Sequence, residues 1–337
     1  MAVLGLSACY RRKLSSSHLL LATNEASGDL SIIDTASQAV VATIPLGKRP
    51  RGIRVSPDQR FAYIALSGSP AAGPNADPAH LPPADHSADG IGVVDIAARR
   101  LVRTLHAGTD PEQLAVSIDG SRIFVANEDA GALSMLDAAS GNILASFPVG
   151  DEPEGVAVRP DNQVVYVTSE AEGTVYAIAP GGAGVLAKIK VGRRPRSIVF
   201  LRNGTIAYVT LEADAAIAVV DSVRHQLLST ISLGPQTGTK DTPRPMGLVA
   251  AKDESAIFVT AGWNGGVFIV DPRDNKPTGR IAVGGRLWGI AISADQRWLY
   301  TANGPTNDVA VIDLEKRQVT KKIPVGDRPW GLALVET

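Results

Sequence analysis

The sequence predicts an all-β fold, a seven-bladed β-propeller whose blades each contain four antiparallel strands. One observation is an internal repeat: VGGRLWGIAI at Val283 returns as VGDRPWGLAL at Val325, so that Gly284 and Gly326 are 42 residues apart. A second is that this V-G-x-x-P-x-G signature, intact or degenerate, occurs at seven glycines: Gly47, Gly108, Gly150, Gly192, Gly234, Gly284 and Gly326. A third is that four short strand patterns lie between successive signatures. Four strands in about 40 to 45 residues are typical of a propeller blade.

Each period contains its four strands in a fixed order. A short apolar strand follows the signature, as in residues 155–158, and a turn rich in Pro, Asp, Asn and Gly comes next. The second strand has a sequence such as YVTSE at Tyr166, and the third ends in Asp in most periods. The fourth strand leads back to the next signature. We predict that the repeated aspartates accept backbone N–H bonds as turn caps: Asp34, Asp95, Asp137, Asp221, Asp271 and Asp313.

The two ends of the chain are predicted to share the last blade. Seven signatures are matched by only six of the turns that join a first strand to a second strand, so one blade is divided. We expect residues 18–46 to supply its second to fourth strands and Trp330 to Leu334 to supply its innermost strand. Residues 18–337 then form a single propeller domain without an open blade edge.

Composition and the first residues bear on location. Lys and Arg total 33 against 34 Asp and Glu. This balance argues against an overall positive potential that would attract polyanions such as nucleic acids. Cys9 is the only cysteine, so an internal disulfide is excluded. The sequence contains no run of about 18 apolar residues, which a membrane-spanning helix would need. Leu6-Ser7-Ala8-Cys9 resembles a bacterial lipobox. We interpret residues 1–17 as a leader or flexible tether and predict that a lipid on Cys9 is the only membrane anchor.

The repeats also resemble a known family. LYTAN at Leu299, FVANE at Phe124 and YVTSE at Tyr166, together with the signatures, resemble the YVTN, or YncE-like, β-propeller repeat family. Some relatives in that family are associated with pyrroloquinoline-quinone-dependent catabolism. The resemblance implies a periplasmic or cell-surface location and agrees with the lipobox, but it does not imply a reaction.

One face of the predicted disc is more elaborate than the other. In an antiparallel blade the signature loops and the loops between second and third strands lie at the same end. Both insertions fall in these loops, at residues 68–89 and 235–242, while the opposite face has only short turns. Because functional residues of propellers lie on loops held by a rigid scaffold, we expect the insertion-bearing face to be the functional face.

Three sets of equivalent positions should encircle the channel on that face. The mouth ring, one residue after the signature proline, consists of Arg51, Glu112, Glu154, Arg196, Met246, Trp288 and Trp330. The upper ring, two positions earlier, consists of Arg49, Asp110, Glu152, Arg194, Arg244, Arg286 and Arg328. The strand-end ring, after the second strands, is assigned as Glu25, Gly68, Glu128, Glu170, Glu212, Gly262 and Gly304. The varied chemistry of the mouth ring predicts an asymmetric ligand site, which Trp263 would extend.

Two other interpretations of these rings remain open. The arginines of the upper ring and the glutamates of the strand-end ring would pair between adjacent blades and hold the loops in place. Alternatively, one divalent ion would bind oxygen ligands from Glu25, Glu128, Glu170 and Glu212. His80 and His86 of the first insertion would add metal ligands, or would be solvated residues of a loop that covers the face.

The leading functional hypothesis is an exported, monomeric propeller without a cofactor. It would bind a small molecule or a periplasmic partner protein at the channel mouth without catalysis. No nucleophile elbow, phosphate loop, CxxC or HExxH motif is present. The first alternative is a metal-dependent hydrolase resembling a lactonase. The second is single-stranded nucleic-acid binding, with arginines on phosphates and tryptophans as stacking platforms, against which the near-zero net charge argues.

Overall fold

The computed structural model describes residues 18–70, 80–239, 241–263 and 265–336. They form seven sheets of four antiparallel strands, and the first strands of neighbouring sheets contact one another around a common axis. The predicted seven-bladed propeller is confirmed. The proposed leader, residues 1–17 with the lipobox at Cys9, lies outside the described residues.

Blades are numbered by their signatures, and the strands run from the axis outward. Blade 1 contains β4 (Pro50–Val55), β5 (Phe61–Leu66), β6 (Gly90–Asp95) and β7 (Arg100–Leu105). Blade 2 contains β8 (Pro111–Val116), β9 (Arg122–Asn127), β10 (Ala132–Asp137) and β11 (Ile143–Pro148). Blade 3 contains β12 (Pro153–Val158), β13 (Val165–Ser169), β14 (Thr174–Ala179) and β15 (Gly184–Lys190). Blade 4 contains β16 (Pro195–Phe200), β17 (Ile206–Leu211), β18 (Ala216–Asp221) and β19 (Gln226–Ser232).

The remaining blades complete the ring. Blade 5 contains β20 (Pro245–Ala250), β21 (Ile257–Ala261), β22 (Gly266–Asp271) and β23 (Lys276–Ala282). Blade 6 contains β24 (Leu287–Ile292), β25 (Trp298–Asn303), β26 (Asp308–Asp313) and β27 (Gln318–Pro324). Blade 7 contains β28 (Pro329–Val335), β1 (Leu19–Asn24), β2 (Asp29–Asp34) and β3 (Ala39–Pro45). Short 3-10 turns lie at His86–Ala88, Glu212–Asp214 and Gly304–Thr306.

Blade 7 joins the two ends of the chain as predicted. Strand β28 pairs antiparallel with β1, with Leu334 opposite Leu20 and Leu332 opposite Ala22. Strand β28 also packs against β4 of blade 1 and β24 of blade 6. The innermost strand of the last blade therefore closes both its own sheet and the ring.

The apolar core consists of layers between adjacent blades. In one layer, Tyr166 and Val175 of blade 3 pack against Val209 and Ala218 of blade 4. The second and third strands are buried on both faces, which their β-branched and aromatic residues favour, whereas fourth strands such as Gln226–Ser232 are largely exposed. Burial between blades thus explains why the sequence repeats most clearly in the inner strands.

The repeated aspartates cap the turns on the face opposite the insertions. Asp34 accepts a backbone N–H bond from Ser37 at 2.7 Å, and Asp137 accepts the equivalent bond from Ser140 at 2.7 Å. The other four make corresponding bonds: Asp95, Asp221, Asp271 and Asp313. The predicted structural role is confirmed for all six. Because these bonds favour the ionised form, they lower the pKa of Asp34 and of Asp137.

The last glycine of the signature allows neighbouring inner strands to approach closely. A Cβ atom at Gly155 would collide with the backbone oxygen of Arg196 in the next blade, and one at Gly331 would collide with that of Arg51. Threonines of the second strands bind the same carbonyls: Thr23 donates to Arg51 at 2.7 Å. Equivalent bonds join Thr168 to Arg196, Thr210 to Met246 and Thr260 to Trp288. The signature therefore fixes the backbone of the mouth ring.

Candidate functional site

Each residue of the mouth ring lies in an irregularity of its inner strand. In blade 3, Glu154 and Gly155 together face the single residue Thr168 of the second strand. The same register shift occurs in the other six blades. A bulge of this kind changes the direction of a side chain relative to the regular pleat. The repeated irregularity places seven side chains of four kinds, Arg, Glu, Met and Trp, at the same level of the channel.

The charged members of the mouth ring form a continuous arc. Arg51 makes an ion pair with Glu112 and lies 4.0 Å from the carboxylate of Glu154. On its other side, Glu154 lies 3.6 Å from the guanidinium of Arg196. All four side chains are largely buried, and Glu112 is completely so. The arc therefore brings together the charged residues predicted to bind a ligand.

The apolar members complete the circle. Met246, Trp288 and Trp330 form a cluster of buried side chains, and the Arg51 guanidinium lies 4.8 Å from the centre of the Trp330 ring. The mouth ring is therefore the buried floor of the face, so a molecule approaching from solvent meets the upper ring and the loops first. The three apolar residues, with Glu154 and Arg196, also line a cavity of about 30 Å³.

A glycine makes room for the aromatic side of the floor. A Cβ atom at Gly304 would collide with the six-membered ring of Trp288. Blade 6 thus has glycine in the strand-end ring where blades 3 and 4 have Glu170 and Glu212. The large indole replaces the carboxylate rather than adding to it. This exchange makes room for the central indole of the aromatic side.

The strand-end assignment for blade 1 was wrong by one residue. Pro50 pairs with Leu66 just as Pro329 pairs with Asn24, so the equivalent of Glu25 is Ser67 and not Gly68. The insertion begins at this point and removes the sequence landmarks that align the other blades. The Ser67 hydroxyl donates to the carboxylate of Asp110, a bond to blade 2 that the sequence did not indicate.

Three of the strand-end glutamates are held by arginines. Glu25 lies 3.5 Å from both Arg49 and Arg328, and 3.7 Å from Arg51. Glu170 lies 2.7 Å from Arg194 and also pairs with Arg196. Glu212 is 3.2 Å from Arg244, 3.5 Å from Arg194 and 3.7 Å from Arg196. Pairing across the rings is confirmed for four upper-ring arginines: Arg49, Arg194, Arg244 and Arg328.

Arg286 does not follow this pattern. Within the described residues it has no ion pair with a carboxylate, so the pairing interpretation was wrong for it. Blade 6 has Gly304 and blade 5 has Gly262 in the strand-end ring, which leaves no glutamate on either side of Arg286. Burial lowers the pKa of Arg286, and the neighbouring Arg196, Arg244 and Arg328 lower it further, while Glu212 opposes them.

The anionic half of the face lies over blades 2 and 3. Carboxylate oxygens of Asp110, Glu112 and Glu128 are within 4.8 Å of one another. Burial raises the pKa of Glu128 to about 7, and the nearby carboxylates of Glu154 and Asp110 contribute in the same direction. Glu128 is therefore a carboxyl group that changes its charge near neutral pH.

The predicted metal ligands do not form one set. In the described part of the chain, Asp110, Glu112 and Glu128 are the only group of three or more suitable ligands, and only Glu128 was predicted. The other predicted glutamates, Glu25, Glu170 and Glu212, face arginines. His80 and His86 are outside this group, and the His86 Nδ1 atom lies 2.8 Å from Asp89. This contact raises the pKa of His86.

Arg49 lies 3.6 Å from both Asp110 and Glu112, so a guanidinium faces two of the three candidate metal ligands. Their oxygens suit a hard cation such as Mg²⁺ or Ca²⁺, but binding one would require these ion pairs to loosen.

The cationic-aromatic half lies over blades 5, 6 and 7. The guanidinium carbons of Arg244 and Arg286 are 5.5 and 6.0 Å from the centre of the Trp263 ring. Those of Arg286 and Arg328 are 5.5 and 5.7 Å from the Trp288 ring. Trp263 is 36% exposed, whereas Trp288 is buried in the floor. Trp263 therefore extends the aromatic side upward, as the sequence suggested.

The described ends of the first insertion lie beside the mouth. Lys48 makes a 2.7 Å ion pair with Asp85, and Arg49 donates to the carbonyl of Ser69 at 2.7 Å. A cavity of about 470 Å³ lies here, and its wall includes Pro82 and Arg328. The insertion is thus on the predicted face, where it forms one wall of an open depression.

No family model matches the chain, and no curated protein matches it. Many solved structures do match, at low identity. A Pseudomonas aeruginosa periplasmic gluconolactonase aligns with a TM-score of 0.74 and 20% identity, covering 95% of this chain and 99% of its own. A functionally unknown protein from Desulfotomaculum acetoxidans has a TM-score of 0.76 and 12% identity, with 94% and 99% covered. A dihydro-heme d1 dehydrogenase has a TM-score of 0.68 and 16% identity, with 97% and 77% covered. These similarities show the fold.

The described residues contain no helix with the length and apolar character needed to cross a membrane.

Proposed function

We propose that this chain is a binding propeller that holds a small molecule at the channel mouth of the insertion-bearing face, without catalysis. The observation that carries the proposal is the asymmetry of the mouth ring. One backbone position, repeated seven times with the same bulge, holds a charged arc on one side and Met246, Trp288 and Trp330 on the other. A ring with only a structural role would need no such variation, because the blade framework around it repeats.

The state of the ion-paired glutamates supports binding rather than catalysis; Glu128, which the second candidate function uses, is not among them. A general base needs a carboxylate that can reach substrate, and a metal site needs unshared oxygen ligands. Glu25, Glu170 and Glu212 are each engaged by two or three arginines, and Glu112 faces Arg49 and Arg51. These contacts make the glutamates a rigid frame around the floor, with the arginines and indoles presented to a ligand.

A small-molecule panel with two matched tryptophan variants tests this proposal. We expect at least one compound to raise the melting temperature of the wild-type protein and to change its tryptophan fluorescence. Trp288→Phe should weaken that response by about tenfold, since it removes part of the aromatic floor. Trp298→Phe is the control, because Trp298 is in the same blade but begins β25, at the end of that strand away from the channel mouth. Equal responses in both variants, or no response to any compound, would overturn the proposal.

A second candidate function is metal-dependent hydrolysis of a lactone. Two observations favour it: the grouping of Asp110, Glu112 and Glu128, and the similarity to a solved periplasmic gluconolactonase. These carboxylates would hold the ion, which would polarise the carbonyl of the ester when bound. Arg49 and Arg51, which now face two of the three ligands, argue against strong metal affinity.

The metal content of the purified protein discriminates the two functions. After dialysis without chelator, about one equivalent of a divalent ion and hydrolysis of glucono-δ-lactone that stops on addition of EDTA would establish the second candidate. Less than about a tenth of an equivalent, with hydrolysis no faster than in buffer, would leave the binding function. Glu128→Gln should abolish metal binding in the first case, because it removes a ligand without changing the side-chain size.

Location and partners remain proposals based on the sequence. We propose that the protein is exported and acts in the periplasm or at the cell surface. Radiolabelled palmitate should be incorporated into the wild-type protein and not into Cys9→Ser. The nucleic-acid alternative predicts binding of single strands that weakens steeply with salt, while a partner protein would bind the same face; either finding would replace the small-molecule proposal.

A further inference from the structure

We propose that the cationic-aromatic half of the face is an oxyanion subsite, which binds a carboxylate or phosphate group of the small molecule. The subsite is formed by Arg244, Arg286 and Arg328 around Trp263 and Trp288. The inference rests on the proposed function and adds the chemical class of the ligand and the residues that recognise it.

The first step is an excess of positive charge. Arg194, Arg196, Arg244 and Arg328 face four carboxylates, those of Glu25, Glu154, Glu170 and Glu212, and Arg286 adds a fifth positive charge without an ion pair among the described residues. The negative charge of Glu25 is also shared with Arg49 and Arg51, which lie close to its carboxylate. Blades 5 and 6, which have glycine in place of a strand-end glutamate, provide Arg244 and Arg286. The local charge is therefore positive even though the chain as a whole has a net charge of −1.

Arg286 lies between Arg244 and Arg328 in the order of the blades and is the central arginine of the subsite. Its Nε atom is buried and has no hydrogen-bond partner among the described residues. A buried N–H donor without an acceptor costs about 1 to 3 kcal/mol, and more for a charged group. The Nε atoms of Arg51 and Arg196 also have no hydrogen-bond partner, but both of those guanidiniums face carboxylates, whereas Arg286 has neither an acceptor for its Nε atom nor an ion pair among the described residues. An oxyanion beside Arg286 would supply both the acceptor and the missing negative charge.

The third step concerns the tryptophans. Trp263 lies against Arg244 and Arg286, and Trp288 lies against Arg286 and Arg328, at the distances given above. A cation–π contact holds a guanidinium in place through its face but does not neutralise its charge. The N–H groups at the edge then remain able to donate to an oxyanion in a fork geometry. The indoles therefore hold the arginines near one another without removing their charge.

Two carboxylates limit the position of the anion. Glu212 is 3.2 Å from Arg244, and Glu25 is 3.5 Å from Arg328, so both outer arginines are partly neutralised. The strongest uncompensated charge is at Arg286. We therefore place the anion at Arg286, with Arg244 and Arg328 as flanking donors.

Isothermal titration of the full chain tests the subsite with two probes, inorganic phosphate and gluconate, at constant ionic strength set with sodium chloride. We expect one of them to bind the wild-type protein, and Arg286→Gln to weaken that binding by at least about tenfold. Arg273→Gln is the matched control, since Arg273 is on the opposite face and its removal changes the net charge equally. Arg286→Lys should give an intermediate affinity, because it keeps the charge and loses the fork.

The outcomes separate this inference from the proposed function. Binding of phosphate alone identifies a phosphate subsite, and binding of gluconate alone identifies a carboxylate subsite; either supports the inference when Arg286→Gln weakens it and Arg273→Gln does not. If neither probe binds, but a neutral compound binds the wild-type protein and Trp288→Phe weakens that binding, the inference is wrong and the proposed function stands. If Arg286→Gln is misfolded by circular dichroism, Arg244→Gln replaces it, and wild-type affinity in that variant overturns the subsite.

Discussion

The two halves of the insertion-bearing face have the same backbone and opposite electrostatics. Over blades 2 and 3, Glu112 lies in a buried network of charges that includes Arg49 and Arg51. Over blades 5 and 6, Arg286 is held by indole rings and has no carboxylate partner in the described chain. The difference arises from a few substitutions at equivalent positions, not from a change of fold. It shows how a repeated scaffold separates a paired, structural region from an unpaired region suited to binding.

The comparison makes a thermodynamic distinction. Removing one member of a buried ion pair leaves the other charge uncompensated, which costs about 3 to 5 kcal/mol. Removing a charge that has no partner relieves an existing cost. The anionic half should therefore be sensitive to substitution for reasons of stability, and the cationic-aromatic half for reasons of binding.

The largest expected effect comes from breaking the ring on which both halves depend. Deleting residues 326–337 removes β28 and with it Trp330 and the closure of blade 7. Because the deletion leaves the edge of β1 unpaired and one side of β4 uncovered, the variant should no longer unfold cooperatively. Circular dichroism melting measures this. A deletion variant that melts cooperatively at the wild-type temperature would contradict the closure.

The next prediction compares one charge from each half. Glu112→Leu should lower the stability by up to about 3 to 5 kcal/mol, because it removes the nearest carboxylate partner of the buried Arg51 and leaves only the longer contacts with Glu25 and Glu154. Arg286→Met should change the stability by less than about 1 kcal/mol, since no ion pair is lost and apolar contacts replace the cation–π contacts with Trp263 and Trp288.

Chemical denaturation of both variants provides the measurement, and the double variant Arg51→Met/Glu112→Leu provides a control that should recover part of the loss. Equal destabilisation by Glu112→Leu and Arg286→Met would remove the distinction between the halves.

A smaller effect is expected within the cationic-aromatic half, where Gly304 makes room for Trp288. Gly304→Ala introduces a Cβ atom into the space occupied by the Trp288 ring, which should cost about 1 to 3 kcal/mol and displace the indole. Gly181→Ala is the control, because a Cβ there meets no neighbouring atom. A shift in the tryptophan emission maximum confined to Gly304→Ala confirms the contact. Identical spectra for the two variants would show that Trp288 does not need this glycine.

The smallest prediction is a pH dependence within the anionic half. The pKa of Glu128 is raised to about 7, so the folded protein retains a proton that the unfolded chain releases near pH 4.5. The stabilising contribution of Glu128 to the free energy of unfolding is fully present below pH 4.5 and is lost as the pH rises through 7. Glu128→Gln keeps the uncharged state and should be more stable than wild type at pH 8 by about 1 to 2 kcal/mol.

The advantage of Glu128→Gln should vanish by pH 4. Denaturation in EDTA across this range excludes a contribution from bound metal, and a constant difference between the two proteins would contradict the raised pKa.

The sequence was sufficient for the frame of the site and insufficient for its contacts. The 42-residue period, the six aspartate caps and the ring positions follow from backbone repetition, because equivalent residues adopt equivalent conformations. The partners of individual charges depend on side-chain direction, which the repeat does not specify. The grouping of Asp110, Glu112 and Glu128 combines three different ring positions from blade 2 alone, so it was missed.

Two other features had weak signals in the sequence. Ser67 was misassigned because the insertion follows it directly. The isolation of Arg286 was recognisable in principle, since blades 5 and 6 both have glycine, at Gly262 and Gly304, where blades 2, 3, 4 and 7 have glutamate. The absence of a partner became clear only when the register placed those glycines on both sides of the arginine.

The most direct test of the account is a crystal structure of the protein with the compound that gives the largest response in the panel. The account predicts electron density at the mouth, with an oxyanion of the ligand within hydrogen-bonding distance of Arg286 and the remainder of the ligand against Trp263, above the floor. A ligand located instead in the groove of about 520 Å³ that Phe258 and Arg317 line, between blades 5 and 6, would contradict it.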